Sequence, residues 1–188
     1  LTPMLGDMFG AQGVRDVWQP ILGFGWIVPR VASFALFGFW GAWHGRWWAA
    51  VFGGVSIVVG FGIAVLSPLL AAAGLPGAVL PVMLTGLACF GLGMAAVYTG
   101  AIYYAMEVHK SDVDAGGTHE TLVGLGYTIG PVCGLLSTWV VGGPGASGGN
   151  REAYFGPVLF GVVGVLAVGW TLVVIAKVNR MARKARGA

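Results

Sequence analysis

The chain has 188 residues, 57% of them hydrophobic and only 9% charged, and a formal net charge of +3 at pH 7. A soluble domain of this size carries about 25% charged residues, so most of this surface is not in water. Positive mean hydropathy and 34 glycines point the same way, to an integral membrane protein, because glycine is commoner in membrane helices than in soluble ones.

Residues 1–20 mix Asp7, Arg15 and Asp16 with Phe9 and Trp18. They are too polar to span and are expected to form an extracytoplasmic, interfacial segment. No basic start followed by an apolar core marks a cleavable signal peptide. The chain starts at Leu1 rather than Met, which is compatible with an unusual start codon, with processing or with a piece of something longer. A spanning helix needs about 20 mostly apolar residues. Five stretches qualify: 21–43, 48–70, 78–106, 118–141 and 154–178. The fold class expected is therefore an all-α integral membrane bundle of five transmembrane helices over 21–178, followed by a basic tail at 179–188. Continuous helices satisfy their own backbone groups in lipid, and no short alternating strands suggest a barrel. The third stretch is long, and a tilt or a kink near Pro81 is expected. Prolines and glycines mark "SPLLAAAGLPG" and "GGPGASGGNREAY" as connectors.

Lysine and arginine set the orientation. With the C-terminus in the cytoplasm, the inner side holds Arg46, Lys110, Lys177, Arg180, Arg183, Lys184 and Arg186, and the outer side only Arg15 and Arg151. The expected topology is N-terminus out and C-terminus in. Helices in lipid associate by close contact, so small residues four apart mark interfaces. Gly126, Gly130 and Gly134 form one such ridge, Gly91, Ala95 and Thr99 a second, and Ser56, Gly60 and Ala64 a third. The lipid bilayer and further transmembrane helices, from the rest of a longer chain or from other subunits, are the expected partners; nucleic acid is not.

A few polar residues stand out. Arg30 lies near the middle of the first span, where a cation costs several kcal/mol on insertion scales, so an inward or bundle-locking role is expected. Pro29 beside it removes a backbone donor and loosens the helix locally. The third span ends with Glu107 and His109 and the fourth starts with Thr118, His119 and Glu120. Thr118 is expected to cap the fourth helix, with Glu120 in its first turn, favoured by the helix dipole. His119 and Glu120 lie about 100° apart around a helix, so only one of them can face the bundle. His44, His109 and His119 share the cytoplasmic side without metal-ligand spacing, and Cys89 and Cys133 read as small buried side chains. No nucleophile–base pair or phosphate loop is present. Neither metal nor cofactor is expected, and the chain is not read as an enzyme.

Three segments then resemble the major facilitator superfamily of membrane carriers. "GFWGAWHGRWW" resembles the short basic cytoplasmic loop between its eighth and ninth helices. "PRVASFALFGFWGAWHGR" is similar to its eighth helix, with an arginine inside the membrane. "YYAMEVHKSDVDAGGTHETLVGLGYTIGPVCGL" is similar to the tenth-to-eleventh helix region of bacterial members. The resemblance covers 21–178 and implies a partial, carboxyl-terminal major-facilitator-type bundle in a bacterial cytoplasmic membrane. It implies that Arg30 lines a solute cavity, that Glu107, His119 and Glu120 belong to a cytoplasmic gate, and that Arg46 steadies the loop. The usual loop aspartate is absent, which puts a gating salt bridge built on it in doubt. The family has twelve spans and rocks one half against the other, so five helices alone are not expected to transport a solute. The alternative reading is a non-transporting structural subunit of a respiratory or photosynthetic assembly, derived from a transporter fold.

Overall fold

The computed structural model describes residues 2–44, 46, 48–109, 114–142 and 156–165. Side chains are described for all of these except 2–4, 7, 11, 104–109, 114–116, 118, 119, 122, 123, 138, 141 and 142. The described residues are helical and contain no strand. The chain divides into two units, residues 1–132 and 133–188. The first holds α1 (Thr2–Ala11), α2 (Gln19–Gly23), α3 (Ile27–Phe39), one 3-10 turn (Gly41–Trp43), α4 (Trp48–Leu66), α5 (Leu69–Ala72) and α6 (Pro76–His109). α7 (Asp114–Gly142) begins in the first unit and ends in the second, which also holds α8 (Gly156–Val165).

Three segments of the described chain are long and apolar enough to cross a membrane: Gln19–Phe39, Trp48–Leu66 and Pro76–Tyr103. They coincide with the first three expected spans. The fourth expected span lies within α7. The fifth holds α8, and its remainder at 154–155 and 166–178 falls outside the described residues, as do the connector from 143 onwards and the basic tail. Apolar side chains line the outside of the first two spans. Val28, Val31, Leu36 and Phe39 of α3 are exposed, as are Val51, Val55, Val58 and Val59 of α4. Contiguous apolar surface of this kind is unfavourable in water and suits a lipid bilayer.

Local chemistry shapes each segment. The first span is not one helix to residue 43, as the sequence suggests. It breaks at Phe24–Trp26, resumes as α3, and stops at Phe39. Pro29 sits in the first turn of α3, where a missing N–H costs least, so the break falls just before it. Trp43 then folds back: its indole Nε1 donates to the Phe37 carbonyl at 2.9 Å, one of the carbonyls that the end of α3 leaves without an intrahelical partner. α6 runs unbroken for 34 residues through Pro81, about 51 Å at 1.5 Å per residue. The Thr118 cap is also corrected. α7 starts one turn earlier, at Asp114, so Thr118 is the fifth helical residue and Glu120 the seventh, past the first turn. The stretch 114–117, expected as loop, is helix.

Close backbone approach holds the three spans together. A methyl group on Gly60 would overlap the Phe90 amide nitrogen, and one on Gly86 would lie 2.6 Å from the Ala64 nitrogen. A methyl on Gly93 would sit 2.7 Å from the Gly53 carbonyl, and one on Gly53 2.9 Å from the Ala96 methyl. Contacts that rise along α4 fall along α6, so the two are antiparallel. α3 runs parallel to α6, since Trp26 meets Phe90, Phe34 meets Tyr98 and Trp43, past the end of α3, meets Tyr103. Gly91 gives α3 its approach, because a methyl there would overlap the Trp26 carbonyl.

Two apolar clusters fill the ends of this three-helix unit. At one end Leu5 and Phe9 of α1 are buried with Ala64, Met83 and Leu87. The polar-looking N-terminal segment thus carries a helix that plugs the bundle. Gln19 secures the chain behind it, its Nε2 donating to the Val14 carbonyl and to Asp16 Oδ1 at 3.1 and 3.0 Å. At the other end Phe37, Trp43, Ala49 and Ala96 are buried, with Tyr103 against them.

Candidate functional site

The stripe Trp26, Arg30, Phe34, Phe37 recurs at helical spacing and faces α6. Arg30 is the twelfth of the 21 residues in its span, so it is at mid-depth. Its guanidinium carbon lies 5.6 Å from the Trp26 ring centre and 5.5 Å from that of Phe34, within the range of cation–π attraction. Its Nε is buried without a hydrogen-bond partner, and so is Trp26 Nε1. A cation at the centre of a span costs about 3 kcal/mol on insertion scales. Two ring faces return about 1–2 kcal/mol each, of the same order as that cost, while the Nε stays without a hydrogen-bond partner.

This unit's spans hold no carboxylate to pair with Arg30. No Asp or Glu occurs anywhere between residues 17 and 106. Arg30 lies level with the stretch of α6 between Phe90 and Tyr98. Glu107, the next carboxylate along α6, is some 13 residues further, roughly 20 Å along the axis. Asp16 is exposed and already accepts from Gln19.

Beyond Phe34 the seam widens into an open groove of about 410 Å³. Its walls are Phe34, Phe37 and Gly38 from α3 and Tyr98, Thr99, Ile102 and Tyr103 from α6, closed at one end by Trp43 and His44. The rings interlock. Phe34 meets Tyr98 edge-on at 5.5 Å, Phe37 meets Trp43 at 5.7 Å, and the His44 imidazole lies flat on Tyr103 at 4.6 Å with 1° between the planes. The lining is mostly apolar, and the Thr99 hydroxyl donates to the Ala95 carbonyl at 2.8 Å.

The other expected site residues are spread out. Arg46 is exposed just after the 3-10 turn, where its amide donates to the Trp43 carbonyl. Glu107 and His119 are in α6 and α7, but their side chains lie outside the described residues; Glu120 is exposed on α7. Gly91 is buried in the α3–α6 seam. Gly126 and Gly130 are exposed, and a methyl on either meets nothing within 4 Å. Gly134 is buried in the second unit. Among the described residues no cluster of His, Cys, Asp or Glu is able to hold a metal ion. Sequence reasoning singled out Arg30 but passed over the groove. Its signal was present in the aromatic spacing Phe34, Phe37 against Tyr98, Ile102, which reads as core until the helices are paired. No family model matches the chain, nor does any curated protein or solved structure.

Proposed function

We propose that the chain is the carboxyl-terminal part of a secondary carrier for a small solute, of the major-facilitator type that its motifs resemble, with five spans in all and further helices required for transport. The observation that carries this reading is Arg30, a cation at mid-membrane between α3 and α6, beside an apolar groove and with no anion in its own spans. Charges kept at such cost in a span mark solute or ion pathways. The groove ends at the loop 41–46, at the same end as Glu107, so one wall of a path leads from mid-depth towards the proposed cytoplasmic gate. The test is uptake by the complete assembly in proteoliposomes: Arg30→Gln should abolish it at normal expression, and unchanged uptake would remove Arg30 from the path.

A second reading, a non-transporting subunit of a larger membrane complex, is favoured by a different observation. α4 and α6 are locked backbone to backbone, whereas residues 124–132 of α7 are all exposed, as a surface awaiting other chains would be. Native mass spectrometry of the material extracted from its own membrane separates the two. Larger partners of unrelated sequence around a chain of this length favour the subunit, and a single parent chain about twice as long favours the carrier.

A further inference from the structure

We propose that Arg30 pairs with a carboxylate on another transmembrane helix, one outside residues 1–188, which lies along the α3–α6 seam and brings an Asp or Glu to mid-depth. This goes beyond both readings above, since each calls for further helices and neither says what they carry.

Charge sets the chemistry of the partner. Arg30 Nε is buried without a hydrogen bond, and the two terminal nitrogens, which have none either, are not buried. The guanidinium is thus rooted in the seam and open at its surface, which at mid-depth faces hydrocarbon. The rings of Trp26 and Phe34 offset the charge but accept none of its hydrogen bonds. Intramembrane cations pair, and a guanidinium fork matches a carboxylate with two parallel hydrogen bonds. Lipid phosphates stand about 15 Å away at either face of the hydrocarbon. The chain's own seven carboxylates are Asp7, Asp16, Glu107, Asp112, Asp114, Glu120 and Glu152. None falls within the three candidate spans, and Glu120 is the third residue of the expected fourth span, at its end. Neither this chain nor a second copy of it brings an acid to the level of Arg30.

Position sets the face. At about 100° per residue around α3, Ser33 and Phe37 lie to one side of Arg30 and are buried, whereas Ile27 and Phe34 to the other side are half-buried and Val31 and Gly38 beyond them exposed. Arg30 therefore stands at the edge of the buried stripe, on the flank of Ile27 and Val31. The groove opens on that same flank, one turn along the helix: Phe34 and Gly38 belong to its wall, and a methyl on Gly38 meets nothing within 4 Å. An open apolar groove in line with an unpaired cation fits a helix laid lengthwise. Its apolar side chains fill the groove in close contact, and its acid reaches Arg30 a turn away. A lipid acyl chain fills the groove but leaves the cation without a partner.

The test is site-specific photo-cross-linking of the full chain in its native membrane. The photoreactive residue p-benzoylphenylalanine replaces Val31, the exposed neighbour of Arg30, and the linked peptide is identified by mass spectrometry. The expected product is a transmembrane peptide absent from residues 1–188, with an Asp or Glu within one helical turn of the linked residue. In that background Arg30→Glu should lower the yield at least tenfold, and exchanging the mapped carboxylate for Arg should restore it, which also shows that the charge-reversed chain folds. Arg30→Lys keeps the charge and should retain the link. Cross-linking to lipid alone, linkage to a helix without a carboxylate, or a charge exchange that restores nothing would overturn the proposal. No transport is measured, so a chain that carries no solute still gives a readable result.

Discussion

The α4–α6 seam makes a prediction from one methyl group. In Gly60→Ala the new Cβ would overlap the Phe90 amide nitrogen, and it would lie 2.7 Å from the Gly86 carbonyl oxygen and 2.9 Å from the Phe90 Cα. All three atoms are backbone, so no side chain swings away to make room. Relieving the tightest contact, to the Phe90 amide nitrogen, to about 3.5 Å asks the helices to part by roughly 1 Å. A gap of that size forfeits a quarter to a half of the dispersion energy along the contact, which at Gly53, Gly86 and Gly93 is also backbone-close. Overpacking of this kind costs about 1–3 kcal/mol. In lipid, where helices gain little from burial against one another, the loss is not made up elsewhere. Gly54, six residues earlier on α4, is the control, because a methyl there meets nothing within 4 Å. Gly54→Ala should be neutral, or stabilising by up to about 1 kcal/mol through the chain's lower freedom when unfolded. The assay is reversible unfolding in mixed micelles at rising denaturing-detergent fraction. The double variant with Gly86→Ala should cost less than the sum, since both methyls demand the same separation. Gly60→Ala as stable as Gly54→Ala would refute the close approach and the pairing of α4 with α6.

Other predictions follow from single contacts. Trp43→Phe keeps the ring packing on Phe37 and Tyr103 but strands the Phe37 carbonyl, and should cost about 1–3 kcal/mol in the same unfolding assay. Phe9→Ala empties a fully buried site between α1 and α6 and should cost about 3 kcal/mol, with faster amide exchange across residues 2–11 than across 48–66. Gly91→Ala should push α3 off α6 by overlap with the Trp26 carbonyl and cost about 1–3 kcal/mol in the same unfolding assay; stability equal to that of Gly54→Ala would refute the approach of α3 to α6.

Much of this was legible in the sequence because membrane helices obey a simple length rule. The first three candidate spans emerge from apolar run length, and Arg30 stands near the middle of one of them. Ridges were legible only in part. Ser56, Gly60 and Ala64 do line the α4–α6 seam, but their partner is a second ridge on α6, Gly86 and Gly93, while Gly91 faces α3. A glycine-rich helix offers several such ridges, and only pairing tells which is used. The Thr118 cap failed because a capping residue is a local signal, and the helix already runs from Asp114 through that position. The N-terminal helix was hidden for the opposite reason. Its charges dominate the composition of residues 1–20, while burial rests on just Leu5 and Phe9. The groove depends on α3 and α6 running parallel, a relation between residues some 64 positions apart, as for Phe34 and Tyr98, which no local pattern encodes.

The claim beneath all of this is that α3, α4 and α6 stand side by side in hydrocarbon, with Val51, Val55, Val58 and Val59 towards lipid and Gly53, Gly60 and Ala64 towards α6. A nitroxide scan of residues 48–66 in bilayers tests it directly. Oxygen accessibility should oscillate with a period of about 3.6 residues, peaking at the valines and falling at Gly53, Gly60 and Ala64, while a water-soluble relaxant stays excluded at mid-helix. Ready access of that relaxant to positions 55 and 58 would contradict the account.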